Sequence, residues 1–452
     1  KVTGVQTCAL PICEVSVLLL LACSKPTEEP VGGEPAGAVR LDLGGVVPRT
    51  IVVVQVDTLR EDATPWGGSE RDTFPYMGGR DGWVYVDHAV AEATWTAPST
   101  ASLMTGAGQE LHGVRAFPDN GDPFPSVRIE TWPARFHAAG WETGLFTGSD
   151  ILNNPDLALG QGFDTVTIEE QEPGNADGLF GKMAGWLRKR EADQSVLVFV
   201  QPVDPHGPYR SVDRDVGTWV DPSELPFDPD DPNEIQAQAI ESAVAKADAE
   251  TRALLLDEVR RAYDEQLLDL DRSLRSIFAV LDEDDRLDDA VVVLTSDHGE
   301  SFYDGVPEWL GHGAVIRHEI VHVPLAFWSS ASSTASLDCV ASNLDVFPTL
   351  VAAAGLEPLA DRPGQSLLDG CREQAFSAVY ENDGTGDRLT WVGVESSTAA
   401  QARECGGATY GFDLAQDPHA LVDVGDVGLD SALDTYVEQI EAAFGPVECA
   451  SP

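Results

Sequence analysis

Three short stretches carry side chains whose types and spacing suit cleavage of an anionic ester. One apolar run, Ile51-Val52-Val53-Val54-Gln55-Val56, ends in Asp57, and another, Val291-Val292-Val293-Leu294-Thr295-Ser296, ends in Asp297 and His298. Between them, Thr94-Trp95-Thr96-Ala97-Pro98-Ser99 puts a hydroxyl just ahead of a proline. Attack at a sulfur or phosphorus centre needs an activated nucleophile, positive charge against the nonbridging oxygens and a proton for the leaving oxygen. A divalent metal serves the first two needs together. Asp57, Asp297 and His298 offer hard oxygen and imidazole ligands for calcium, zinc, magnesium or manganese. Thr96 on the same ion would be both a ligand and the nucleophile. The plainer alternative makes Thr96 only the N-cap of a helix whose first turn holds Pro98. His206 and His312, each in a Pro- or Gly-flanked loop that follows an apolar run, are the next candidates.

Both acids need rigid strands behind them. Near-continuous β-branched runs are expected of parallel strands covered on both faces, and open α/β sheets bind ligands beyond the carboxyl ends of such strands. Ser195-Val196-Leu197-Val198-Phe199-Val200 is a third run of this kind. Leu255 to Leu281 repeats apolar residues at helical spacing and is expected to cover the sheet. The fold class is therefore α/β, a mostly parallel sheet flanked by helices. After Gly364 the segments shorten, with a strand at Thr390–Val394 and a helix at Ser431–Phe444, which predicts a small C-terminal α+β subdomain. The expected division is a catalytic domain over 48–368 and the subdomain over 369–452. An acidic, proline-punctuated stretch from Asp221 to Glu234 lacks periodicity and is a candidate substrate wall.

Composition narrows the partners. The 452-residue chain carries 76 acidic and 28 basic residues, a formal charge of −48. Such a surface repels phosphate backbones and no basic stripe offsets it, so nucleic acid is not an expected partner. Residues 1–13 resemble translated sequencing-adapter sequence. Residues 14–23 then read as the tail of a bacterial lipoprotein signal, with Cys23 the lipidated residue and 24–47 a linker; a plain secretory signal cleaved nearby is the alternative. Either reading places the protein outside the cytoplasm, in the periplasm or on the cell surface, touching the membrane only through an anchor at Cys23. Cys339, Cys371, Cys405 and Cys449 allow two disulfides in three pairings, and no Cys-x-x-Cys pair supports a zinc site instead.

The ordered motifs carry a resemblance. Asp57-Thr58-Leu59-Arg60, then Thr96-Ala97-Pro98-Ser99-Thr100-Ala101-Ser102-Leu103-Met104-Thr105-Gly106, then Ser296-Asp297-His298-Gly299-Glu300 and Gly311-His312-Gly313 resemble the sulfatase family of the alkaline phosphatase superfamily. The likeness continues through Gly160-Gln161-Gly162-Phe163-Asp164, Asp204-Pro205-His206-Gly207-Pro208-Tyr209, His322-Val323-Pro324-Leu325 and Leu344-Asp345-Val346-Phe347-Pro348-Thr349-Leu350, and spans roughly residues 48 to 425. It implies a metal-dependent hydrolase or transferase of sulfate or phosphate esters, acting on a small-molecule, glycan or lipid substrate. It further implies that His206 contacts the ester and assists the leaving group, that His312 lines the same pocket or binds a second metal, and that, as in the two-metal branches of the superfamily, a second ion would take Asp204, His206 and His312. His112 resembles a supporting family histidine, whereas His88, His137, His318 and His419 have no motif support and read as surface or satisfied core residues.

Departures from the family pattern are specific. Sulfatases carry Cys or Ser, matured to formylglycine, where Thr96 stands, and threonine cannot yield that aldehyde. Thr100 replaces an arginine, Thr58 replaces the second strand-end aspartate, and Ala314 replaces a basic residue, with Arg317 the nearest cation. A threonine nucleophile is similar instead to the superfamily's phosphodiesterases, phosphomutases and phosphoethanolamine or glycerophosphate transferases. The alternative function is a catalytically inactive lipoprotein of the same fold that binds anionic glycans or lipids.

Overall fold

The computed structural model describes residues 39–444 apart from 119–124, 153, 170–175, 208, 210–218, 220–236, 305–307 and 383–385. The signal and linker residues before 39, including Cys23, and the stretch 221–234 lie outside the described residues. The strands are β1 (Thr50–Val56), β2 (Trp83–Val90), β3 (Glu142–Thr147), β4 (Thr165–Ile168), β5 (Val196–Gln201), β6 (Ala290–Ser296), β7 (Ser301–Phe302), β8 (Leu310–Gly311), β9 (Leu325–Ser329) and β10 (Ala335–Ser342). The C-terminal strands are β11 (Ala375–Asn382), β12 (Asp387–Glu395), β13 (Ala399–Glu404) and β14 (Thr409–Asp413).

Eight strands form one sheet in the order β10-β2-β9-β6-β1-β5-β3-β4. Only β9 runs against its neighbours, pairing antiparallel with β2 and β6, while β1, the central strand, is parallel to β5 and β6. All seven residues of β1 are buried, because both faces are covered. Alternation of side chains decides what covers each face. Val52, Val54 and Val56 pack in one apolar cluster with Val259, Leu267, Leu270, Leu274 and Ile277 of the helix Ala249–Glu283. Ile51 and Val53 pack in the other with Ala97, Ala101, Leu103 and Met104 of the helix Thr96–Thr105. Each such fully buried aliphatic side chain contributes about 1.5–3 kcal/mol relative to exposure. This burial is what fixes the two helices on opposite faces.

The covering helix is 35 residues long and begins six residues before the periodic stretch read from the sequence, at an Asp248 cap that accepts the Thr251 amide at 2.8 Å. Its buried face is not wholly apolar. Asp271 accepts the amides of Tyr76 and Met77 at 2.8 and 3.0 Å, and Asp264 pairs with Arg71 at 2.6 Å, so the helix also anchors the connection between β1 and β2.

The C-terminal strands form an antiparallel sheet in the order β11-β12-β13-β14, with the helix Asp430–Phe444 against it through Leu433, Tyr436 and Ile440. Cys339 on β10 is disulfide-bonded to Cys371, closing a separation of 32 residues, and Cys405 is disulfide-bonded as well; Cys449 lies outside the described residues. Loop closure of that length removes chain entropy from the unfolded state equivalent to about 3–4 kcal/mol. Replacing both Cys339 and Cys371 with alanine is therefore expected to lower the unfolding free energy by about that amount. Urea unfolding of the variant beside the wild type measures it, and an unchanged midpoint would contradict it.

Candidate active site

The site begins with strand register. Val56 of β1 pairs with Ser296 of β6, so the residues that follow, Asp57 and Asp297, emerge side by side at the carboxyl edge. Ser296 sits between the two chain turns: its Oγ lies 2.7 Å from the Val56 carbonyl and 2.6 Å from that of His298, and it accepts the Leu59 amide at 2.9 Å. Thr58 takes a left-handed φ of 57°, an arrangement that costs a β-branched residue about 1–3 kcal/mol. This turn directs its amide to Asp297 Oδ1 at 3.2 Å, where the His298 amide also donates at 2.8 Å. Tyr263 of the long helix clamps the turn by donating to the Thr58 carbonyl at 2.8 Å and accepting the Arg60 amide at 2.9 Å.

One oxygen of each aspartate is left over. Asp57 Oδ1 and Asp297 Oδ2 are buried without a hydrogen-bond partner, and each lies 3.7 Å from His298 Nε2. His298 Nδ1 donates to the Gly299 carbonyl at 2.9 Å, which leaves Nε2 with its lone pair turned to the carboxylates. Ligand atoms of Asp57, Asp297 and His298 all lie within 4.8 Å of one another. Burial, with Asp297, Glu300 and Asp204 nearby, pushes the Asp57 carboxyl well above its usual range, and burial pushes Asp297 up to about 7. Burial and the neighbouring His312 hold His298 well below its ordinary value. Two unpartnered carboxylate oxygens facing a neutral imidazole nitrogen fit a divalent cation, whose charge would reverse both carboxylate shifts.

Thr96 is the first residue of its helix, preceded by the extended Trp95, and Trp95 rather than Thr96 occupies the capping position. The cap alternative thus fails for Thr96. Its hydroxyl lies 3.5 Å from His298 Nε2. Ser99 of the same helix turn donates to the Asp297 carbonyl at 2.5 Å and accepts from Asn343 Nδ2 at 2.9 Å, tying the helix start to the aspartate. Thr100 turns the other way and donates to Gln55 Oε1 at 2.9 Å.

A second group of side chains borders the first. His312 Nδ1 lies 2.9 Å from Glu300 Oε1, and Tyr209 donates to Glu300 Oε2 at 2.9 Å. The His312 ring stands 4.4 Å from that of His298 and 5.1 Å from that of His206. Burial alone would raise Glu300 and lower His312; their pairing reverses both, holding Glu300 below and His312 above their ordinary values. Sequence reasoning did not single out Glu300 or Tyr209, although both end motifs it quoted. Among the described residues, ligand atoms of Asp204, His206 and His312 do not converge as those of Asp57, Asp297 and His298 do; Glu300 engages His312 Nδ1 and the Gly207 carbonyl engages His206 Nδ1 at 2.7 Å.

The remaining histidines divide. His112 is buried and neutral; it accepts the Val114 amide at Nδ1 and meets Ser102 Oγ at 3.0 Å, holding the helix Thr96–Thr105. His137 lies at the surface beside Asp164, and His419 is exposed. His318 is a satisfied core residue, hydrogen-bonded to Glu395 and His322, whereas His88 departs from the plain reading, since its ligand atom meets those of His322 and Glu395 in a separate cluster. Arg317, the cation nearest the Ala314 position, is committed to Glu319 at 2.7 Å.

The profile of the family described as Sulfatase matches residues 49–356. The chain is 32% identical over 77 residues to the uncharacterized sulfatase YidJ of Escherichia coli, covering 17% of this chain and 15% of that one. It is 24% identical over 277 residues to the low-salt glycan biosynthesis sulfotransferase Agl7 of Haloferax volcanii, covering 59% of this chain and 54% of that one. The chain thus spans about half or less of the length of these curated relatives. Among solved structures, the phosphonate monoester hydrolase of Agrobacterium radiobacter superposes with a TM-score of 0.63 at 19% identity, over 88% of this chain and 95% of that one. With a parallel sheet that sets its two acids beside a helix-borne hydroxyl, and a family profile covering most of its length, this chain belongs to the sulfatase family.

Proposed function

We propose that this protein is a metal-dependent hydrolase or transferase of sulfate or phosphate esters that works without formylglycine and uses Thr96 as its nucleophile. The observation that carries the reading is the convergence of Asp57 Oδ1, Asp297 Oδ2 and His298 Nε2, with the Thr96 hydroxyl 3.5 Å from the last. Asp57, Asp297 and His298 would hold the cation, with Thr96 beside it. When bound, a divalent cation there would offset the two carboxylate charges, acidify an adjacent hydroxyl and draw charge from the ester's nonbridging oxygens.

The chain's own residues supply the rest. Thr96 Oγ1 is the attacking atom: it gives its proton to solvent and bonds the sulfur or phosphorus as the bond from that centre to the leaving oxygen breaks, the leaving oxygen taking up a proton in turn. His206 and His312 stand on the bordering side, where His312, held above its ordinary value and oriented by Glu300, can give a proton to that leaving oxygen and His206 contacts the ester. Water or a second alcohol then removes the group from Thr96. Relatives named for sulfotransfer and for phosphonate ester hydrolysis are consistent with both outcomes. A location outside the cytoplasm is supported by the disulfide-bonded Cys339, Cys371 and Cys405, since structural disulfides persist in oxidising compartments. No helix among the described residues is long and apolar enough to cross a membrane.

Three outcomes are expected. Asp297→Asn should purify folded but with most of the active-site metal lost, as elemental analysis would read. The peptide containing Thr96 should carry unmodified threonine by mass spectrometry before substrate is added; an aldehyde mass there would overturn the mechanism. Against a panel of aryl phosphate monoesters, diesters, phosphonates and sulfates, Thr96→Ala should lower turnover by about 10³-fold or more while keeping most of the metal. Equal turnover by Thr96→Ala would transfer the attack to water, and binding of anionic ligands with no turnover by the wild type would favour the inactive lipoprotein.

A further inference from the structure

Away from the two aspartates, a second group of ligand-bearing side chains meets where the two sheets adjoin. His88 comes from β2, Glu395 is the last residue of β12, and His318 and His322 lie four apart across the short helix His318–Val321. Ligand atoms of His88, His322 and Glu395 all come within 4.8 Å of one another. His318 bridges two of them, with Nδ1 3.0 Å from Glu395 Oε2 and Nε2 2.7 Å from His322 Nδ1. His322 Nε2 lies 2.9 Å from the Asp87 carbonyl.

A plain ladder of hydrogen bonds explains only part of this. It accounts for His318, for both ring nitrogens of His322 and for one Glu395 oxygen, yet leaves Glu395 Oε1 and His88 Nδ1 buried without any partner, in a cluster whose Glu395 is only 2% exposed. Buried polar atoms are normally satisfied, and two unsatisfied lone-pair bearers in one cluster share a single missing partner most simply if that partner is a cation. We propose that His88, His322 and Glu395 bind a divalent transition metal of the zinc type, His322 through Nδ1 in place of its contact with His318. Two imidazoles and one carboxylate select a borderline metal over calcium or magnesium, and three protein ligands leave zinc a position for water. His322 Nε2 donates to the Asp87 carbonyl and His318 Nδ1 holds Glu395 Oε2, contacts that fix the ligand rotamers as partners of metal ligands commonly do.

The position gives such an ion a structural consequence. It would join the edge region of the large sheet to β12 of the C-terminal sheet through the turn at 318–322. That turn supports the catalytic one: the Gly299 amide donates to the Ile320 carbonyl at 2.7 Å, and a Cβ at Gly299 would sit 2.1 Å from the Glu319 carbonyl oxygen. The ion therefore braces the backbone that carries Asp297 and His298, from outside the catalytic group.

The test uses the full chain in which Asp57→Asn and Asp297→Asn remove the active-site carboxylates, so that its outcome is separate from that of the catalytic reading. Equilibrium dialysis against zinc with elemental analysis is expected to find one equivalent bound in this background. Adding Glu395→Gln, which keeps shape and hydrogen bonding, should weaken that binding at least tenfold, and His88→Ala with His322→Ala should abolish it. Should the background variant fold poorly, the wild type is compared with Glu395→Gln directly, and a difference of one zinc equivalent is expected. Zinc but not calcium should raise the melting temperature of the background variant, which lacks the active-site carboxylates but retains the cluster. No zinc bound in the background, or full stoichiometry after His88 and His322 are both replaced, overturns the proposal.

Discussion

The in-register pairing of β1 with β6 is the constraint on which the rest of this molecule depends. Parallel neighbours of equal length end together, so an acid placed one residue beyond each strand meets the other at the same edge. Asp57 and Asp297 would repel one another in a buried setting, and desolvation adds to that repulsion. Such a pair persists only where the surrounding structure forces it or a cation relieves it. Here the forcing is visible in the buried valines of both strands, whose burial on two faces leaves the strand ends no freedom to separate.

Polar contacts then convert two proximate acids into a directed pair. Ser296 links the ends of both strands, and Tyr263 holds the Thr58 turn from the far side of the sheet. The Thr58 and His298 amides take one Asp297 oxygen and leave the other open. Thr58 stands where the family pattern has a further aspartate, and its Oγ1 is buried without a hydrogen-bond partner, so the position contributes backbone geometry where a carboxylate would contribute charge. Thr100, in place of an arginine, faces Gln55.

The helix that carries Thr96, the proposed nucleophile, is positioned by contacts at both ends. Ser99 and Asn343 bind its start to the Asp297 backbone, while Gly106 ends it in a left-handed turn with φ of 64°, its amide returning to the Ser102 carbonyl. His112 packs neutral beneath it. These contacts restrict Thr96 to the neighbourhood of His298, which is the requirement for a side-chain nucleophile to act as a fixed reactant.

Much of the plan was legible in local sequence. Six-residue apolar runs identified β1 and β6, helical spacing identified the long covering helix, and the position of Asp57 and Asp297 directly after strands placed them at one edge; each depends on periodicity or on adjacent residues. What depends on distant residues was not legible. Glu300 reaches Tyr209 across 91 positions, His318 reaches Glu395 across 77, and the pairing of Cys339 with Cys371 was one of three allowed by count. The second ion expected at Asp204, His206 and His312 is likewise decided by which partner each side chain meets. Local patterns prescribe which strands and helices form and which face each residue takes. The meeting of side chains from different elements follows only once the sheet is assembled, because packing and register, rather than spacing along the chain, set the distances between them.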